Sequence, residues 1–286
     1  MRVPIFYDER QNVDGLDSYS RSAGKPKRFV ETVMRKYPDA NVLPVLPATR
    51  DDLLIAHKPE HVAAVFNGTA LNGFENRDER VPESCLWTCG SMVTATLAAH
   101  EMNTITCSPT SGFHHACYAE SAAYCTFNGL MIAAGKFVEA HPGSRVAILD
   151  LDMHAGNGTR DVMKHKPDLA KSVMCHSSGE HFYGGEPTHE FFNWLQSTIR
   201  EINIFDPHVV MYQAGGDQAL KDPLGGLLTD YEMCQRDRVV FGRIRAPLCW
   251  NLAGGYQDIT PTRDPVIDIH LRTLDIAASA PERIKK

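Results

Sequence analysis

The chain has 286 residues, 43% of them hydrophobic, enough to bury one large α/β core. Its formal net charge of -6 argues against a nucleic-acid backbone as the main partner, since that role calls for a basic face. No apolar run is long enough to span a bilayer, and the eight cysteines lack a disulfide-framework spacing, so a soluble cytoplasmic protein without a membrane anchor is expected.

The first element is a strand, Met1 to Tyr7, whose apolar run is too short for a signal peptide. Asp14 to Pro26 is a polar loop feeding an amphipathic helix from about Lys27 to Lys36, and Pro47 to Val65 holds two short helices, the second opening at Pro59. Asn72 to Arg80 has no apolar period and reads as a solvated loop. Cys89 to His100, rich in Ala, Thr and Met, reads as a closely packed helix. Cys85 and Cys89 share a helix face rather than a zinc ion, because no second pair completes a site. Cys107 to Ala116 is a glycine-bearing loop that delivers His114 and His115, and Glu120 to Glu139 reads as a long apolar helix.

Arg145 to Thr159 then starts as a strand buried on both faces and ends in Asp150, Asp152 and His154, followed by Gly156-Asn157-Gly158. Alternation along a strand sends these three side chains out on one side of its end. A lone Asp-x-Asp also serves as a helix cap. Buried charge, however, is costly unless paired or bound to a metal, and the rest of the chain decides between the two. A helix from about Thr159 and a strand near Ser172 to Cys175 follow. The helix Glu190 to Ile202 feeds the strand Val209 to Gln213, which ends in Gly215-Gly216-Asp217. The helix Tyr231 to Ile244 feeds the strand Leu248 to Leu252, which ends in Gly254-Gly255-Tyr256. This alternation predicts an α/β fold with a doubly wound, mostly parallel sheet flanked by helices, and a site at the carboxyl ends of its strands. No linker, low-complexity tract or repeat divides residues 1–286, so one domain is expected.

Four polar clusters fall at such positions: His114 with His115, the strand end at Asp150 to His154, Asp217, and Tyr256. Asp152, His154 and Asp217 have the donor types of a catalytic metal site with an open position for water.

Ser111-Gly112-Phe113-His114-His115-Ala116, Asp150-Leu151-Asp152-Met153-His154-Ala155-Gly156-Asn157-Gly158-Thr159, Gly215-Gly216-Asp217 with Pro223-Leu224-Gly225-Gly226-Leu227, and Gly254-Gly255-Tyr256 together resemble the zinc-dependent histone deacetylase superfamily, which includes the acetylpolyamine amidohydrolases. Order and spacing agree from about residue 88 onward, and the likeness is strongest to small, class IV-like and bacterial members. The resemblance implies an arginase/deacetylase-like fold in which Asp152, His154 and Asp217 bind zinc. It implies that His115 is the general base, with His114 its partner, Asp150 orienting His114 and Asn157 behind His115. Tyr256 would stabilise the oxyanion. Gly112, Phe113, Tyr124, Phe182, Gly254 and Gly255 would line the substrate, with Phe182 or Tyr183 opposite Tyr124. A neutral Asn157 in place of a carboxylate is expected to leave His115 with a lowered pKa.

Arginases share the fold, but their second metal needs acids where this chain has Gly156 and Ala219, so a single metal and amide hydrolysis are expected. An Asp-His-Asp set does not separate zinc from iron(II). Met174 stands where many members carry a Ser that helps hold a structural cation, which argues against potassium near Asp150. The expected activity is a metal-dependent deacylase acting on an acylated, most simply acetylated, lysine side chain, or else on an acetylpolyamine or another small N-acyl amine. Two competing readings are an acyl-lysine binding module with a degenerate site and a Cys-His thiol enzyme built on Cys117 or Cys125, cysteines expected on an apolar helix where core packing is the better account. Glu75, Asp78 and Glu79 offer an acidic rim for a basic substrate. Composition leaves the oligomeric state open.

Overall fold

The apolar runs become strands of one sheet in which every neighbouring pair is parallel. In the computed structural model, which describes residues 2–282, the strands are β1 (Ile5–Phe6), β2 (Val42–Leu43), β3 (Ile105–Ser108), β4 (Val146–Asp150), β5 (Val173–Ser177), β6 (Val209–Gln213) and β7 (Leu248–Asn251). Their order is β2-β1-β3-β7-β6-β4-β5. The sheet is thus wholly rather than mostly parallel. Around it lie α1 (Lys25–Lys36), α2 (Arg50–Leu53), α3 (Pro59–Phe66), α4 (Arg80–Met102), α5 (Gly129–Ala140), α6 (Asn157–His165), α7 (Pro167–Ala170), α8 (Thr188–Phe205), α9 (Asp230–Arg243) and α10 (Pro265–Ala278). Among the described residues, no helix is long and apolar enough to cross a membrane.

Strand β4 shows why the sheet is covered on both faces. Ala147 and Leu149 belong to one buried cluster, with Phe29, Phe191 and Trp250, whereas Val146 and Ile148 belong to the other, with Phe127, Leu130 and Phe137. A strand that is apolar at every position can satisfy its alternating side chains only between two layers of helices. Its polar end is placed by register. Asp150 pairs with Ser177 on one side and Gln213 on the other, Gln213 with Asn251, and Asn251 with Ser108. Five strands therefore finish together in a buried polar row, and the loops leaving that row build the site.

Several element boundaries differ from the sequence expectation. The first strand is paired only over Ile5–Phe6, and Met1 lies outside the described residues. The helix expected at Cys89 to His100 runs from Arg80 to Met102. The long helix expected from Glu120 begins only at Gly129, with Asn128 accepting the Met131 N–H as its cap. Residues before it fold as a small hairpin in which Ala123 and Tyr124 have φ of +44° and +66°, a left-handed pair that no right-handed helix can contain. The Tyr124 N–H donates to the Gly73 carbonyl at 2.7 Å, and the Gly73 N–H donates to Thr126 Oγ1 at 3.1 Å. The loop from Asn72 is accordingly packed at its start, with Asn72 2% exposed, rather than wholly solvated. Helix α10 is announced by Asp264-Pro265, the Asp side chain accepting the Ile267 N–H and the Pro in the first turn.

Helix α4 lies against the sheet through small residues and hydroxyls, with Ser91 Oγ donating to the Phe6 carbonyl and Thr106 Oγ1 to the Ala95 carbonyl, both at 2.7 Å. Gly90 lets this helix meet the chain before α2, since a Cβ there would lie 2.1 Å from the Leu46 carbonyl oxygen. Gly90→Ala is expected to destabilise the fold by about 1–3 kcal/mol through overpacking. A lowered midpoint in thermal or urea denaturation would check it, and an unchanged midpoint would show that the Leu46 segment yields freely.

Candidate active site

After Asp150 the chain leaves β4 and turns, and after Gln213 it leaves the adjacent β6 through Gly215 into a short 3-10 turn, Gly216–Gln218. These exits bring Asp152, His154 and Asp217 together, with one candidate ligand atom from each lying within 4.8 Å of the others. His154 Nδ1 sits 3.2 Å from Asp152 Oδ1 and 3.1 Å from Asp217 Oδ2. Both carboxylates are buried, and Asp217 is pushed up to about 8 by burial and by the charge of Asp152. A divalent cation would relieve that conflict, and two carboxylate oxygens and an imidazole nitrogen suit one. The remaining carboxylate oxygens are engaged by the Gly254 N–H on Asp152 Oδ2 at 2.9 Å and the Met153 N–H on Asp217 Oδ1 at 3.2 Å. A Cβ on Gly254 would lie within 2.6 Å of both carboxylates, so only glycine fits under them.

The loop after β3 supplies the two histidines. His114 Nδ1 donates to Asp150 Oδ2 at 2.7 Å, and the other carboxylate oxygen, Oδ1, accepts from Gln213 Nε2 at 2.9 Å. Burial disfavours charge on His114, but Asp150 and Asp152 overcome this and lift it to about 9. His115 Nδ1 donates to Asn157 Oδ1 at 2.6 Å, which leaves Nε2 with a free lone pair. Its pKa falls to about 4, the direction expected, but the causes are burial and the neighbouring His114, while the Asn157 bond works the other way. The loop is held from behind by His57, whose Nδ1 donates to the Cys117 carbonyl at 2.9 Å and whose Nε2 accepts the Asn128 N–H at 2.7 Å. Cys117 and Cys125 lie on the irregular segment before α5, not on a helix, and burial raises both thiols, which disfavours a thiolate nucleophile.

The loop after β7 carries Tyr256. Its ring is 5.6 Å from that of Tyr124, which in turn lies 5.9 Å from Phe74. Burial and the charges of Asp152 and Asp217 raise the phenol well above its usual pKa, keeping it a proton donor. Two supports of this loop escaped the sequence reading. Asp222 Oδ2 accepts the Tyr256 N–H at 2.7 Å, and the buried Lys25 donates to the carbonyl of Ala253 at 2.6 Å. Ala253 has φ of +54°, so its carbonyl is held in a conformation an alanine rarely adopts. A lysine at a helix start and an aspartate before a proline give no local hint of such roles.

The residues expected to line a substrate divide. Gly112, Tyr124, Gly254 and Gly255 lie beside the site loops, with Gly112 within 4 Å of the Ala253 backbone on the Cβ side. Phe113 does not, since its ring packs over Gly129 in the core. Phe182 is likewise covered, by Phe191 and Trp194, while its neighbour Tyr183 is 75% exposed and is the aromatic available at that edge. In the acidic loop, Asp78 is taken up by Arg80 at 2.6 Å. Met174 pairs with Ala147 in β4, and it is Ser177 that stands opposite Asp150. Met174 therefore says nothing about a cation at Asp150.

A sequence model described as the histone deacetylase domain matches residues 22–190. Histone deacetylase 6 of Caenorhabditis elegans is 30% identical over 140 residues, 39% of this chain and 15% of that protein. The putative histone deacetylase 2 of the same organism is 24% identical over 281 residues, 81% of this chain and 54% of that protein. Acetylpolyamine amidohydrolase 2 of Pseudomonas aeruginosa is 29% identical over 167 residues, 50% of this chain and 48% of that protein. The chain thus spans about half or less of the length of these three relatives. Among solved structures, the HDA15 HD domain superposes with a TM-score of 0.74 at 19% identity, covering 97% of this chain and 88% of that one. An acetylpolyamine aminohydrolase from Burkholderia pseudomallei superposes with a TM-score of 0.77 at 14% identity, covering 96% and 98%. At these identities the structures establish the arginase/deacetylase fold and nothing finer.

His57 makes the histidine loop sensitive to acid. Its burial lowers its pKa from 6.5 to about 3. The unfolded chain therefore takes up the proton first, and the contribution of neutral His57 is complete above pH 6.5 and is lost as pH falls towards 3. Between pH 6.5 and 4.5 this amounts to on the order of 2 kcal/mol. A His57→Gln variant is expected to lose that part of the pH slope in thermal melts, and a slope identical to wild type would remove His57 as its source.

Proposed function

The chain belongs to the histone deacetylase domain family, and from that premise we propose that it is a metal-dependent deacylase that hydrolyses the N-acyl, most simply N-acetyl, amide of a lysine side chain. Family membership supports deacylase chemistry broadly. The finer reading rests on one observation, the convergence of Asp152, His154 and Asp217 beside an imidazole whose Nε2 lone pair is free. We take residues 1–286 as a single catalytic domain, a reading supported by one sheet that joins β1 near the amino terminus to β7.

The donor set fits zinc or iron(II), held by Asp152, His154 and Asp217. When bound, the ion would supply Lewis acidity to the acyl carbonyl and acidify a water ligand. His115 takes a proton at Nε2 from the water whose oxygen adds to the acyl carbon and gives it to the amine as the C–N bond breaks, its Nδ1–H being fixed on Asn157. His114, pinned by Asp150, places positive charge next to His115, the ring centroids being 4.1 Å apart. The protonated phenol of Tyr256 donates to the oxyanion as it develops. Tyr124 and Tyr183 offer the aromatic walls of an acyl-lysine channel.

Acetylpolyamines are the second substrate class, supported by the likeness to amidohydrolases of that name. Rates across acetyl-lysine peptides, longer acyl-lysines and acetylpolyamines are expected to rank an acetylated lysine first and to vanish on chelation, returning with zinc. Tyr256→Phe is expected to lower kcat about 100- to 1000-fold with little change in KM. Full activity in that variant would remove Tyr256 from the chemistry. Uniform inactivity of metal-loaded protein on the whole panel, with retained binding of an acylated peptide, would instead favour a binding module.

A further inference from the structure

Helix α9 carries a buried ion pair that the chemistry above does not use. Arg236 is 0% exposed and Asp237 2%. Arg236 Nε donates to Asp237 Oδ1 at 2.9 Å, and Asp237 also accepts from Tyr212 Oη at 2.5 Å and Thr273 Oγ1 at 2.6 Å. The far side of the guanidinium is turned to the site. Arg236 Nη1 donates to the Gly215 carbonyl at 2.7 Å and to Gln218 Oε1 at 3.1 Å, the residues that bracket Gly216 and Asp217. Gln218 Nε2 then donates to Ser178 Oγ at 2.9 Å, and Ser178 Oγ donates to the Asp152 carbonyl at 3.0 Å.

Each hydrogen bond in this chain points the same way, from Arg236 through Gln218 and Ser178 to Asp152, so the bonds polarise one another. Both carboxylates of the donor set therefore have their backbone tied to one guanidinium. A buried ion pair is a weak source of stability, because apolar residues of similar volume often replace it without loss. Nη2 of Arg236 also has no hydrogen-bond partner among the described residues, which adds to the cost of keeping the arginine there. The gain that offsets this cost is geometric.

We infer that Arg236 is a positioning residue for the cation-binding site, holding the turn that presents Asp217 and, through Gln218 and Ser178, the main chain at Asp152. This rests on the reading that Asp152, His154 and Asp217 bind a divalent cation. The test is cobalt(II) binding to the metal-stripped full chain, followed by visible absorption and by chelator competition, beside thermal melts of the metal-free proteins. Gln218→Met cuts the relay without leaving a charge unpaired, and Arg236→Lys keeps the charge but loses the fork that reaches two acceptors. Both variants are expected to weaken cobalt binding about tenfold and to change its absorption spectrum, with metal-free melting temperatures close to wild type. Wild-type affinity and spectrum in both would overturn the positioning role, as would a loss of affinity that merely tracks a loss of melting temperature. Asp217→Asn separates the two levels: if wild-type protein has no cobalt site that this substitution removes, the metal-site reading falls and the role of Arg236 with it.

Discussion

Asp152 and Asp217 lie together at 1% and 0% exposure, and two carboxylates so deep in a protein lack water and disfavour charge on each other. The surrounding structure answers that conflict at close range. His154 reaches both carboxylates, backbone N–H groups of Gly254 and Met153 take the outward oxygens, and a glycine lies beneath because nothing larger fits. Further out, Lys25 and Arg236 place buried positive charge behind the same two residues, one through the Tyr256 loop and one through the Gly215 turn. The site is thus a centre of unfavourable electrostatics held in place by the stability of the sheet around it.

Strand register makes this possible. Because Asp150, Gln213 and Asn251 end their strands side by side, the loops that follow start from a common edge and reach one another within a few residues. Gln213 uses that alignment directly, binding Asp150 on one strand while its Oε1 accepts the Phe113 N–H of the histidine loop at 3.4 Å. The pairing of His114 with Asp150 is then set by the sheet rather than by either loop alone.

The central strands and the polar residues at their ends were legible in the sequence, because a buried parallel strand is a continuous apolar run and its functional residues follow it directly. β6 coincides with its apolar run, Val209 to Gln213, for that reason. What was not legible depends on partners far along the chain. Residues 120–127 are apolar enough to pass for helix, but Ala123 and Tyr124 take positive φ in a hairpin that Tyr124 and Thr126 tie to the distant Gly73. Phe113 and Phe182 sit beside site residues in sequence, yet their rings turn to the core, a choice made by the space over Gly129 and beside Trp194. Lys25, Asp222 and Arg236 look like ordinary surface charges until the fold buries them.

The strand order carries a consequence for synthesis. Strands β1 to β3 pair among themselves, as do β4 to β6, and the two groups share no strand pairing except through β7, which lies between β3 and β6. The loop bearing His114 and His115 belongs to the first group, and Asp152, His154 and Asp217 to the second. His114 and His115 therefore lie on one half of the sheet and Asp152, His154 and Asp217 on the other, and β7 is the strand that joins the halves. The constellation is complete only with β7 in place, so a product that stops short of Leu248 carries fragments of the candidate site on half-sheets that lack the strand between them.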